Sequence, residues 1–103
     1  MEVLHMKEVY IVHRYVSYKH PDNSIEEIAN TVSKVFDAED KAVDYIRKEI
    51  VSWHNSLVNR KRIVEPIVDE TQWGRPGMRA YIRGRDGDAS IFRSLYYEIC
   101  GVD

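Results

Sequence analysis

From Val9 to Tyr18 the sequence VYIVHRYVSY places Val9, Ile11, His13 and Tyr15 at one parity and Tyr10, Val12, Arg14 and Val16 at the other. Successive residues of a strand face opposite ways, and β-branched and aromatic side chains fill such a surface well, so this run predicts a strand that is central in its sheet at its start. Lys19-His20-Pro21-Asp22-Asn23 then gathers residues that preset φ or tolerate left-handed backbone, which predicts a turn and a hairpin. Ser24 to Phe36 carries two patterns. Ser24 and Glu27 have the spacing of a capping box, with Ile25, Ile28, Ala29, Val32, Val35 and Phe36 at helical intervals. The same stretch alternates through Ile28, Asn30, Val32, Lys34 and Phe36, and Asn30-Thr31-Val32-Ser33 is a run of poor helix formers. A strand is the preferred reading and a helix its alternative, with Asp37 expected to be the N-cap of the helix that follows. In that helix Ala42, Tyr45, Ile46, Ile50, Trp53 and Leu57 share one face, and Glu39, Asp40, Lys41, Asp44, Arg47 and Lys48 cover the other.

The second half is read the same way. Residues 60–68, RKRIVEPIV, predict a strand whose Pro66 confines part of it to an edge or bulge. TQWGRPG, residues 71–77, holds two glycines and a proline and predicts irregular chain. Met78 to Arg85 predicts a strand, Asp86-Gly87 a two-residue hairpin turn, and Ala89 to Cys100 an antiparallel return. Helical spacing of Ile91, Leu95 and Ile99 before Gly101 is the rival for that last segment. The order strand, strand, helix, strand, strand, strand predicts an α+β domain, a mostly antiparallel sheet with one helix packed on one face and the other face open.

The chain has 103 residues with formal net charge -2. That length suits a single domain over residues 1–103, and the near-neutral balance speaks against a protein that coats DNA or imitates its backbone. Cys100 is the sole cysteine, which rules out an intrachain disulfide and zinc sites built on two thiolates and suits a reducing cytoplasm; its own thiol is expected to be packed. No apolar run reaches the ~18 residues of a membrane span, and MEVLHMKE lacks the core of a signal peptide. Residues 1–6 precede the regular patterning, suit a disordered or vector-derived start, and are set aside.

The block VYIVHRYVSY followed by TVSKVFDAEDKAVDYIRK, with Val35-Phe36-Asp37 leading to Ala42, resembles small phage-borne and bacterial accessory proteins that open with a strand hairpin and enter a helix through this step. The resemblance covers about 40 residues. It implies an accessory protein of a mobile element, some members of which act by binding host or defence proteins.

Candidate chemistry is sparse. Gly74-Arg75-Pro76-Gly77 and Gly84-Arg85-Asp86-Gly87 lack the spacing of phosphate-binding loops and read as turns. His13, His20 and His54 fall on three elements without i,i+4 pairing, so neither a metal site nor a Cys-His pair with Cys100 is expected. Glu39, Asp40 and Asp44 interleave with Lys41, Arg47 and Lys48 as ordinary helix-surface pairs. The informative pattern is basic and aromatic. From Arg60 onward the chain holds 8 bases against 7 acids, whereas residues 1–59 hold 7 against 10. With Met78, Ala80 and Ile82 inward, Arg79, Tyr81, Arg83 and Arg85 share the outer face of one strand, and Trp73 and Arg75 stand in the preceding loop. Arg, Tyr and Trp are the residue types enriched at binding hot spots. The expectation is therefore a non-enzymatic cytoplasmic module, without cofactor or metal, that binds and modulates a protein through Trp73, Arg75, Arg79, Tyr81, Arg83 and Arg85; inhibition of a defence nuclease is one form. The alternative is a nucleic-acid-binding module that uses the same row and a secondary basic run, Arg60, Lys61 and Arg62. Acids at Glu65, Asp69, Glu70, Asp86 and Asp88 weigh against phosphate. Homodimerisation is also expected, because one helix covers one face only and leaves sheet edges and apolar side chains unmatched.

Overall fold

The computed structural model describes residues 7–102; Met1 to Met6, set aside above, and Asp103 lie outside the described residues. Strand β1 (Lys7–Lys19) turns into β2 (Ile25–Phe36), helix α1 (Glu39–Asn59) follows, then two short strands β3 (Ile63–Val64) and β4 (Val68–Asp69), and finally the hairpin of β5 (Ala80–Asp86) and β6 (Ala89–Val102). All pairings are antiparallel, in the order β2-β1-β6-β5-β3, with β4 also on β5. This is the α+β architecture the pattern predicts. Both ambiguous segments are strands, and β1 is central.

Three local corrections have physical causes. The expected strand over residues 60–68 is split, because Pro66 has no N–H to give the ladder, so the sheet has six strands rather than five. The β5–β6 loop is Gly87-Asp88, one residue later than expected, since Asp86 pairs with Ala89. Gly87 takes φ 62 at the first central position, the type II′ pattern in which the strand twist and the turn agree. Asp37 does not cap α1: the N-cap is Ala38, without a side-chain cap, and Asp37 instead accepts from Lys41 Nζ at 2.9 Å, a full turn away. The Ser24–Glu27 capping box is not used either. Ser24 gives its N–H and hydroxyl to Asp22 Oδ1, which holds that carboxyl below its usual range and closes the β1–β2 turn with Asn23 at φ 68.

The core lies between α1 and one face of the sheet. Ala42, Val43, Ile46, Ile50 and Leu57 of α1 are buried against Val12, Ala80, Ile82, Ile91, Leu95 and Tyr97. Each fully buried large aliphatic side chain stabilises by roughly 1.5–3 kcal/mol before entropy is counted. The helix ends in a Schellman arrangement: Lys61 takes φ 59, its N–H bonds Val58 O at 2.9 Å, and Arg62 N–H bonds Leu57 O at 3.0 Å. Gly84 is buried opposite its ladder partner Val64 of β3, and a Cβ there would stand 2.5 Å from Ile63 O. Gly84→Ala is expected to cost about 1–3 kcal/mol by forcing β3 off the sheet, read as a lower urea midpoint, and an unchanged midpoint would show that β3 gives way freely.

The molecule is long, 63 × 25 × 18 Å, with a radius of gyration of 16.2 Å where a compact chain of about 100 residues has roughly 13 Å. A 21-residue helix is only about 32 Å long and does not cover that sheet. Its contact with β2 is confined to the end nearest α1, where Ser33 Oγ and Tyr45 OH are 2.7 Å apart and the Phe36 and Tyr45 rings meet.

Candidate functional site

Burial of Ala80 and Ile82 under α1 obliges Tyr81, Arg83 and Arg85 to face the other way, onto the open side of the sheet. Cross-strand partners share a face, so the register carries that side across the sheet: Tyr81 opposes Ser94 and Arg83 opposes Phe92 on β6, which in turn oppose Tyr15 and Ser17 on β1. His13 opposes Tyr96 on the same side. The result is a half-buried aromatic ridge. Tyr81 and Phe92 have ring centroids 5.6 Å apart at 41°, and Tyr15 and Phe92 are 6.1 Å apart at 59°. His13 stacks on Tyr96 at 4.9 Å, and its Nε2 lies 2.7 Å from Glu98 Oε1.

The arginines are laid onto this ridge. The Arg83 guanidinium stands 5.4 Å from the Tyr81 ring and 5.6 Å from Phe92, and Arg79 stands 6.0 Å from Phe92. Both are exposed, and among the described residues neither they nor Arg85 form a salt bridge. A stacked, unpaired guanidinium keeps its fork of donors available for a carboxylate or phosphate. Two open grooves border the ridge. One of about 470 Å³ runs past Tyr15, Asn30, Arg79 and Tyr96, and one of about 480 Å³ past Lys19, Ile25, Arg83 and Phe92.

The acids expected to oppose anion binding are in part diverted elsewhere. Asp69 accepts from Arg47 Nε at 3.1 Å, and Asp86 lies 3.0 Å from Arg62 Nε. The remaining predicted residues do not join the row. Lys61 and Arg62 are engaged in the helix terminus and Arg60 is its C-cap, so the basic run sits at the end of α1. Trp73 is exposed, 60% of its surface in solvent, but its loop lies toward the N-terminus of α1: Gly74 N–H donates to Glu39 Oε1 at 2.8 Å, and Tyr97 OH donates to Gln72 O at 3.1 Å. Arg75 is held there by Gln72 Oε1 at 3.2 Å. Burial and the nearby Glu39 charge raise the Tyr97 hydroxyl above its ordinary pKa, so it stays a neutral donor. Arg79, Tyr81, Arg83 and Arg85 thus form one face, and Trp73 with Arg75 another.

Sequence reasoning missed Tyr15, Phe92, Tyr96 and His13 as members of that face. The signal was present in the alternation of the first and last strands, but only the register places the two strands side by side. Cys100, expected to be packed, is exposed. Among the described residues, no group of three or more His, Cys, Asp or Glu side chains is arranged to hold a metal ion, and no helix is long and apolar enough to cross a membrane. The chain matches no protein-family model, no curated protein and no solved structure.

Proposed function

We propose that this protein is a non-enzymatic binding module that engages and modulates a protein partner in the bacterial cytoplasm through the open face of its sheet, in keeping with its resemblance to mobile-element accessory proteins. The observation that carries this reading is the stacking of Arg79 and Arg83 on Phe92 and Tyr81 without a salt-bridge partner among the described residues. The partner is a protein that offers carboxylates to these guanidiniums and an apolar segment to the grooves beside them. Inhibition of a host or defence protein is one form such modulation takes.

Single-stranded nucleic acid is the second reading, because four bases, Lys19, Arg79, Arg83 and Arg85, share the open side. Ring geometry ranks it lower. A base-stacking platform presents ring faces to the ligand, whereas here the rings tilt against one another at 41° and 59° and arginines lie over them. Salt separates the two. Capture of a protein from bacterial lysate is expected to persist from low to moderate salt, while labelled oligo-dT and oligo-U show little binding. Oligonucleotide binding that falls log-linearly and steeply with salt, with no protein captured, would replace the first reading by the second.

A further inference from the structure

We infer that the free edge of β2 is the contact between two copies of this chain, joined antiparallel about a twofold axis at Asn30. Strand β2 pairs with β1 on one side, and among the described residues no strand pairs with the other. A long unpaired edge with exposed apolar side chains is a template for a further strand, and soluble proteins blunt such edges unless they use them. Here the edge runs for 12 residues without a proline, interrupted by bulges at Ile28 and Ser33, and Ile25, Ile28, Val32 and Val35 are 67%, 50%, 54% and 52% exposed. No other segment of the described chain exposes so many large apolar residues together.

The sequence of β2 is complementary to itself in one register. Centred on Asn30, antiparallel pairing sets Ile25 against Val35, Glu26 against Lys34 and Ala29 against Thr31, and the twofold repeats each pair. The faces agree outside the two bulges. Ile25 and Val35 oppose Lys19 and Ile11 on the open side, while Glu26 and Lys34 oppose Tyr18 and Val12 on the helix side, so these partners meet on the same side of the new seam; Ile28 and Ser33, the bulge residues without a β1 partner, are left out of the matched pairs. Neighbouring registers fail. Centring on Thr31 sets Glu26 against Phe36 and Lys34 against Ile28, and centring on Ala29 sets Glu26 against Val32, which opposes charge to apolar surface. The favoured register adds backbone hydrogen bonds along residues 25–26, 29–31 and 34–35, the stretches that the two bulges leave regular. It also joins the two sheets into one and brings the two open faces side by side.

Charge exchange tests the occupant and the register together. Wild type at micromolar concentration is expected to scatter as about 24 kDa, twice the 12.1 kDa chain. Glu26→Lys and Lys34→Glu each place like charges opposite one another twice and are expected to weaken association on the order of tenfold or more, giving monomers with wild-type circular dichroism. An equal mixture of the two variants restores both ion pairs and is expected to return to about 24 kDa, which a lost fold would not do. A covalent probe serves where a charge variant folds poorly: Asn30→Cys in a Cys100→Ser background is expected to give a disulfide-linked dimer on oxidation, since directly opposed residues in an antiparallel pair meet disulfide geometry, while Ser52→Cys on the helix is not. A monomeric wild type, a dimer indifferent to both charge variants, a mixture that stays monomeric, or equal cross-linking at positions 30 and 52 would each overturn the inference. A foreign strand on this edge would leave the chain itself monomeric and falls under the first of these.

Discussion

Ile46→Ala is expected to destabilise the protein by about 2–5 kcal/mol, enough to consume a large part of the stability of a domain this size. Ile46 is 0% exposed at the middle of α1, between the helix and the buried side chains of the sheet. Removing three carbons there leaves a cavity that the long, thin layer has little freedom to close. The urea midpoint is expected to fall with an unchanged slope, and the thermal midpoint to drop by roughly 10 °C or more. Tyr97→Phe supplies the contrast. It keeps the ring that fills the core but loses the hydroxyl bonded to Gln72 O, so about 1 kcal/mol is expected. An Ile46→Ala midpoint within about 0.5 kcal/mol of wild type would mean that α1 does not pack on this face.

The elements differ in how far the sequence discloses them, and burial explains the difference. Helix α1 is legible because one side of it is buried along most of its length, so apolar residues must recur at Ala42, Ile46, Ile50 and Leu57. Strand β1 is legible because neighbours on both sides and a helix above fix its alternation. Strand β2 is ambiguous for two reasons. Little covers it, so nothing enforces a period of two, and its pairing with β1 slips by one residue twice, between Val12 and His13 and between Val16 and Ser17. Each slip inserts a residue into β2. Ile25, Ile28, Val32 and Val35 consequently recur at intervals of three and four residues, which imitates a helix while the backbone stays extended. The arginine row is legible because Ala80 and Ile82 reveal the parity of β5. Placement of the Trp73 loop is not, because it depends on Glu39 and Tyr97, 35 and 25 residues away from their partners in the loop.

Arg79→Ala combined with Arg83→Ala is expected to abolish capture of the protein partner while leaving the fold intact. Stability should move by no more than about 0.5 kcal/mol, since both side chains are exposed and the buried or tethering arginines are others: Arg47 holds Asp69 and Thr71 O, and Arg62 holds Asp86. Binding should fall by more than about 1 kcal/mol for each guanidinium, because each is a preordered donor set on an aromatic ring whose loss strands a carboxylate of the partner. Trp73→Ala is the control on position. Its loop lies toward the start of α1, away from the open face, and the substitution should leave capture unchanged. Retained capture by the double arginine variant together with loss on Trp73→Ala would move the interface from the open sheet face to the loop beside α1, whereas unfolding of the arginine variant would make those stacked side chains part of the sheet's own packing.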